Sequence, residues 1–450
     1  MNDAEPKSKM GLSGTTRKAL IQRFLHPQYT AKNTESLKQS AYSSPAHAAS
    51  NVPDMFCRFD RFENYERILI SRLTGQRMGI ANPFFRVHEG VANANTTVSG
   101  RSLINFSSYN YLGLSGHPRI NEAAKSAIDR YGTSASASRL VAGERPIQRE
   151  LEEALAQWYG VEDCVVFVSG HATNVTTIGC LFGPKDLVIH DSLIHNSILE
   201  GIKLSGAARR SFAHNNPESL ETILAEIRGQ FERVLIAIEG LYSMDGDIPD
   251  LPRFVDIKTR YKAFLMVDDA HSLGTLGANG GGIREHFNLH GPEVDIWMGT
   301  LSKTLAGCGG YICGSSALVD NLKYSGSGFV YSVGISPVLA AASLEALRVL
   351  QAEPDRVAKL REHAQQFLAL AKHYSLDTGS SAGCAIIPVI IKNSIKAVKL
   401  SNALFEKGIN VQPIIHPAVE ERSARLRFFL SCMHTDEQIE KTLAALSKLL

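Results

Sequence analysis

Beyond Cys164 the chain alternates between short β-branched apolar runs and stretches whose apolar residues recur at helical spacing. CVVFV, DLVIH, RVLIAIEG, FLMVDDAH, DIWMGT and GYIC have the length and composition of strands, and Pro217 to Arg228 and Pro252 to Lys262 read as helices between them. This alternation predicts an α/β fold: a parallel or mostly parallel sheet with helices on both faces. Such sheets bind ligands beyond the carboxyl ends of their strands, so the residues that end each run carry the functional argument. After about Pro337 the pattern changes. Helices over Val338 to Gln351 and Arg361 to Lys372, then strands CAIIPVII and ARLRFFLSC, predict a smaller α+β lobe. A last helix begins at Thr435, where Thr435 and Gln438 have capping-box spacing.

Composition removes several function classes. With 450 residues, 44% of them hydrophobic and 20% charged, the chain can bury a large core and fold as more than one lobe. A formal net charge of +2, without blocks of like charge, argues against nucleic acid and against a polybasic membrane patch. The seven cysteines include no CxxC pair, which argues against zinc and fits a reducing cytoplasm. No apolar stretch is long enough to span a bilayer. Residues 1 to 52, rich in Ser, Ala, Lys and Thr, are expected to be a disordered leader, apart from a helical turn or two over Thr16 to Phe24. Asp3 and Glu5 favour a linker or docking tail over an organellar transit peptide. Residues 53–104 are expected to pack on the core, 105–335 to form the large domain and 336–450 the small one.

Four strand ends carry chemistry-bearing residues. In GTLSKTLAGCGG, Lys303 follows the strand DIWMG and precedes a glycine-rich loop. An amine there, with Thr300 and Ser302 beside it, suits an imine to an aldehyde cofactor that carries a phosphate. Asp268 ends FLMVDDAHS, where a carboxylate is costly to bury unless it meets a cation; a protonated pyridine nitrogen is such a partner, and His271 would fall near the ring's phenolic oxygen. Asp269 fits the alternative reading of a strand-end cap or turn. In VVFVSGHATN, a strand is followed by Ser169 and Gly170 and then by a helix whose first amides, His171 and Ala172, make an anion site. In DSLIHNSILEG, His195 starts a helix and could stack on a flat ring or cap the helix. Each signal is weak alone. Their succession at strand ends of one region is not.

The same order of motifs resembles the α-oxoamine synthases, a family of fold-type I pyridoxal-phosphate enzymes. The markers are NYLGL from Asn110, GTSASASRL from Gly132, EGLYSMDGDIPDLP from Glu239, VDDAHSLG from Val267, GTLSKT from Gly299 and ARLRFFLSCMHT from Ala424. The resemblance implies a large, mostly parallel seven-stranded sheet domain with a smaller C-terminal α+β domain. It implies pyridoxal 5'-phosphate held as an imine on Lys303, with Asp268 on the ring nitrogen, His195 stacked on the ring and His271 at its oxygen. The phosphate would lie against Ser169, Gly170, His171, Ala172, Thr300 and Ser302. Ser332, in FVYSVGISP, would reach the neighbouring subunit's cofactor, so a homodimer is implied. Arg427 would grip the amino-acid carboxylate, and Asn110 would add a substrate contact. Arg427 read alone could equally make a strand-end salt bridge, and Arg425 shares its strand face.

The implied reaction is a decarboxylative condensation of an α-amino acid with an acyl thioester, in which Lys303 also removes the α-proton. The acyl donor would be an acyl-coenzyme A or an acyl carrier protein, with the leader and GERPIQRELE leaning toward the carrier. Transamination or aldol-type cleavage on the same apparatus, and a catalytically silent partner subunit, are the alternatives. The presence of Lys303 weighs against the last. Four positions depart from the family pattern: His171, Asp269, Gln148 and Gly334 stand where an aromatic residue, a glutamate, a histidine and a serine are common. Gln148 and Gly334 are expected to lie where substrate shape is read.

Overall fold

A computed structural model describes residues 52–450. The expected leader and the helical turn over Thr16 to Phe24 lie outside these residues. The chain divides into two compact units at Asn82/Pro83. The described part of the first unit centres on a helix, Glu63–Arg77, with Glu63 and Glu66 in its first turn and Arg77 in its last, the polarity that the helix dipole favours. Glu63 also pairs with Arg67 one turn on. None of that helix's residues is buried, and Phe56, Phe59 and Phe62 before it are exposed.

The second unit begins with three strands, β1 (His88–Glu89), β2 (Asn95–Val98) and β3 (Arg101–Asn105), paired antiparallel in succession. Seven strands follow in the central sheet: β4 (Asp163–Phe167), β5 (Leu187–Asp191), β6 (Ala208–Phe212), β7 (Val234–Glu239), β8 (Phe264–Asp268), β9 (Ile296–Thr300) and β10 (Gly310–Gly314), in the order β4-β10-β9-β8-β7-β5-β6. All six expected strands are present. β6 is the one that the sequence reading missed. It is an edge strand, ARRSF, whose exposed Arg209 and Arg210 erase the apolar pattern while protecting the edge. β10 alone runs antiparallel, to both β9 and β4. Residues 301–309 are too few to hold the crossover helix that a parallel return requires.

β5, β7, β9 and β10 are buried along their whole length, as expected of strands covered on both faces. Alternate residues divide between two cores: Cys164, Val166 and Trp297 pack with Tyr159 and Tyr311 on one face, Val165, Phe167, Met266 and Met298 with Ile198 and Phe329 on the other. The expected helices appear as Pro217–Ile227, Leu251–Arg260, Pro337–Ala352 and Asp355–His373; the last starts earlier than its apolar spacing suggested, directly after Pro354.

The smaller C-terminal domain contains an antiparallel sheet made of β11 (Ile386–Ile390), β13 (Gln412–Ile414) and β14 (Arg425–Phe429). Between them β12 (Ile409–Asn410) pairs parallel with β3, extending the sheet formed by residues 88–105. The closing helix, Asp436–Ser447, has the expected capping box: Gln438 N donates to Thr435 Oγ at 3.3 Å and Thr435 N to Gln438 Oε1 at 3.1 Å.

Candidate active site

The carboxyl ends of β5, β7, β8 and β9 place Asp191, Glu239, Asp268 and the Thr300–Lys303 segment along one edge of the central sheet. Asp268 and Glu239 lie directly opposite each other in the β7/β8 register. Asp268 is almost fully buried, and its carboxylate is satisfied: Oδ2 accepts from Asn174 Nδ2 at 2.9 Å and Oδ1 from the Ala270 amide at 3.2 Å. Asn174 also donates to Ser197 Oγ at 2.9 Å, and Ser197 Oγ lies 2.7 Å from His195 Nδ1. A polar chain therefore runs from the helix cap at His195 to the carboxylate that ends β8. The imidazole of His195 is pushed below its ordinary value by burial, with Lys303 and His171 adding to the effect and Asp268 opposing it.

Lys303 sits in a tightly tied loop. Leu301 N donates to Gly309 O at 3.0 Å, Thr300 Oγ1 to the same carbonyl at 3.0 Å, and Gly309 N to Ser302 Oγ at 3.3 Å. The loop presses on the start of the helix Gly170–Leu181: a Cβ at Gly310 would come within 2.7 Å of Gly170 Cα, and one at Gly170 within 3.0 Å of Thr300 Oγ1. The glycines thus bring the backbone of Gly170, capped by Ser169, beside Thr300 and Ser302. Burial pulls the Lys303 amine down to about 8 against the attraction of Asp268 and Glu239. Its Nζ lies 5.5 Å from the centre of the Tyr109 ring.

His271 is buried too, and its Nδ1 lies 2.8 Å from the Tyr111 hydroxyl. Burial holds this imidazole well below its ordinary value, with Lys303 and Arg427 adding to the effect. A neutral ring follows.

Arg425 and Arg427 on β14 separate cleanly. Arg425 makes the strand-end salt bridge, to Asp245 at 2.6 Å. Arg427 has no carboxylate within ion-pair distance among the described residues; Nη1 donates to Ser243 O at 2.9 Å, and its Nε is buried without a hydrogen-bond partner. The guanidinium lies 4.7 Å from the centre of the Phe429 ring. A half-buried cation with no carboxylate partner among the described residues suits an anionic ligand.

Asn110 spends its amide inside its own loop, donating to Ala92 O and Ser115 O and accepting from Ser115 N at 3.0 Å. That loop carries Tyr109 and Tyr111, which reach Lys303 and His271. Gln148 is fully buried, with Nε2 on Ile335 O at 2.8 Å and Oε1 on Arg145 N at 2.9 Å. A Cβ at Gly334 would stand 3.0 Å from that same Nε2. The two departures from the family pattern therefore pack against each other, Gln148 in the core and Gly334 half-buried at its margin. Ser332 stands apart from its own chain's group: it lies on a turn between the exposed Tyr331 and Val333, and its hydroxyl donates to Val333 O.

Sequence reasoning missed Glu239, Asn174, Ser197, Tyr109 and Tyr111. Glu239 is buried with Oε1 unpartnered and Oε2 accepting from Ser243 N at 3.1 Å; burial and the adjacent Asp268 raise it to about 8. The usable signal was a polar residue closing a fully apolar strand, the one that singled out Asp268.

Comparison with known proteins agrees with this geometry. The aminotransferase class I and II profile matches residues 101–446. An 8-amino-7-oxononanoate synthase from Thermoanaerobacter pseudethanolicus is 38% identical over 362 residues, covering 80% of this chain and 91% of the relative; one from Fervidobacterium nodosum is 40% identical over 366 residues, covering 81% and 92%. The chain belongs to the aminotransferase class I and II family, among its α-oxoamine synthases. Solved α-oxoamine synthase structures share the fold. A serine palmitoyltransferase from S. paucimobilis with a bound PLP-myriocin aldimine superposes with a TM-score of 0.82 at 27% identity, covering 86% of this chain and 97% of the other. An 8-amino-7-oxononanoate synthase from Francisella tularensis gives 0.67 at 28% identity, covering 77% and 97%.

Proposed function

We propose that this α-oxoamine synthase joins an α-amino acid to an acyl thioester, releasing carbon dioxide and the free thiol and leaving an α-amino ketone, with pyridoxal 5'-phosphate as cofactor. The observation that carries the reading is a half-buried lysine of depressed basicity beside a buried, hydrogen-bonded carboxylate on the next strand, close to an arginine with no carboxylate partner among the described residues.

These residues fit the cofactor. An amine near 8 keeps a far larger unprotonated fraction at neutral pH than an ordinary lysine and can bond to an aldehyde, and Asp268 offers fixed negative charge to a ring nitrogen. The backbone around Gly170, with Ser169, His171, Ala172, Thr300 and Ser302, offers donors to a phosphate at a helix N-terminus. When bound, the cofactor supplies an electron-withdrawing ring that makes the α-proton of an attached amino acid removable. The protein's own residues do the rest. Arg427 would grip the amino-acid carboxylate, His195 and neutral His271 would hold the ring at its face and its oxygen, and the Lys303 amine would serve as the base for the α-proton. The acyl donor is an acyl-coenzyme A or an acyl carrier protein.

The working unit is a homodimer. The exposed apolar side chains of Tyr331, Val333 and Val141 support this reading, because Ser332 lies among the first two and would serve the other subunit's phosphate. No helix of the described residues is long and apolar enough to cross a membrane, and the chain has no CxxC pair, in keeping with a cytoplasmic setting.

The deciding experiment titrates the cofactor-loaded protein with a panel of amino acids while following its visible absorption, then adds acyl thioesters and measures free thiol and carbon dioxide. At least one amino acid should perturb the spectrum, and thiol release should require both substrates. A keto acid product without carbon dioxide would indicate transamination instead, and an unresponsive spectrum would sink the synthase reading. Borohydride should fix the cofactor to the parent chain and not to Lys303→Ala.

A further inference from the structure

Just outside the residues assigned so far, His214 is wedged between two carboxylates that belong to different loops of the site. Its Nδ1 lies 2.8 Å from Asp191 Oδ1, and its Nε2 is at ion-pair distance, 3.1 Å, from Asp247 Oδ2. Asp191, fully buried at the end of β5, gathers further donors: Leu193 N at 2.8 Å, Asn215 N at 2.7 Å and the Tyr242 hydroxyl at 2.9 Å. The Leu193 bond fixes the turn that leads to His195. Asp247 is likewise bound by Asn215 Nδ2 at 2.9 Å, and its carbonyl accepts from Tyr242 N at 3.0 Å.

The Asp247 loop, residues 240–250, is the one that faces β14. Ser243 O holds Arg427, Met244 O and Asp245 hold Arg425, and Gly246 O accepts from Ala382 N ahead of β11. His214 therefore stands at the joint of two loops, one carrying His195 and the other holding Arg427.

We infer that His214 is a positioning residue: as an imidazolium shared by Asp191 and Asp247, it locks the 240–250 loop so that the Ser243 carbonyl presents Arg427 to the amino-acid carboxylate. Two opposed carboxylates raise the imidazole to about 10 despite its partial burial, so the charge persists through the neutral range. The inference rests on the reading of Arg427 as the carboxylate-binding residue.

The test is a spectral titration of cofactor-loaded protein with glycine, L-alanine and L-serine, using the one to which the parent responds most. His214→Gln should weaken amino-acid binding about tenfold, the cost of losing one charge-assisted bond, while cofactor content and its resting spectrum stay those of the parent. Asp247→Asn, which keeps the shape of the loop and the Asp191 contact, should weaken binding in the same direction. Arg427→Lys, measured alongside, should weaken it more than either. If Arg427→Lys binds poorly while Asp247→Asn and His214→Gln bind as the parent does, the inference is wrong and the function stands. If Arg427→Lys binds normally, the assignment of Arg427 fails and takes the inference with it. Should His214→Gln not fold, Asp247→Asn decides: unaltered affinity overturns the inference, and weakened affinity with full cofactor content sustains it.

Discussion

A lysine ammonium near a strand end is usually among the best-solvated charges in a protein, yet at residue 303 burial outweighs two neighbouring carboxylates and leaves the amine near 8. The sign of the consequence is definite. Below that value the amine is protonated and inert as a nucleophile; above it the amine is free. In protein stripped of cofactor, labelling of Lys303 by an acylating reagent should therefore rise through a midpoint near pH 8, more than two units below that of exposed lysines such as Lys185, as peptide mass spectrometry at a series of pH values would read. A midpoint above 10 would contradict the electrostatic picture. At this scale a polar residue at or just past the end of an apolar run was the legible signal, used at Asp268 and Lys303 and overlooked at Glu239. Asn110 was not legible in the same way, because an asparagine that braces its own loop and one that meets a ligand look alike until the loop closes. The same limit applied to Tyr109 and Tyr111, whose value lies entirely in what they reach across the fold.

Elements were easier to find than to orient. The strands announced themselves because both faces of the sheet are covered, so each reads as an unbroken apolar run; β6 did not, because the exposed Arg209 and Arg210 break its run. The reversed direction of β10 leaves no trace in its own residues and follows only from the shortness of the loop before it. Gln148 and Gly334 belong to this scale too, since they join the helix Pro146–Tyr159 to the segment that enters the helix Pro337–Ala352. Restoring a side chain at residue 334 would press on Gln148 Nε2 and Arg139 Cγ, so Gly334→Ser should lower stability by about 1–3 kcal/mol in chemical denaturation. Pairing it with Gln148→Ala, which vacates the space, should recover part of that loss in a double-mutant cycle. Strict additivity would show that the two positions are not in mechanical contact.

For the whole molecule, the reading of Ser332 as a contributor to the opposite subunit makes a prediction that no single chain could satisfy. Lys303→Ala and Ser332→Ala, each impaired alone, should regain activity when unfolded together and reassembled, because a mixed dimer would contain one site with both defects and one with neither. Random reassortment should give about a quarter of the parent activity. No recovery above the separately refolded variants would mean that Ser332 acts within its own subunit or not at all. One feature of the architecture also bears on how such a chain comes into being. β3 completes its sheet by pairing with β12, and the Asn105 and Asn410 side chains that bridge them are 305 residues apart. At ribosomal speeds of about 5–20 residues per second, β3 emerges about 15–60 seconds before its partner exists. The central sheet, complete by Gly314, can form in that interval, whereas the strands ahead of it must wait with one edge unpaired. Proper assembly of the nascent enzyme therefore depends on keeping that early edge out of wrong pairings until about nine tenths of the polypeptide has been made.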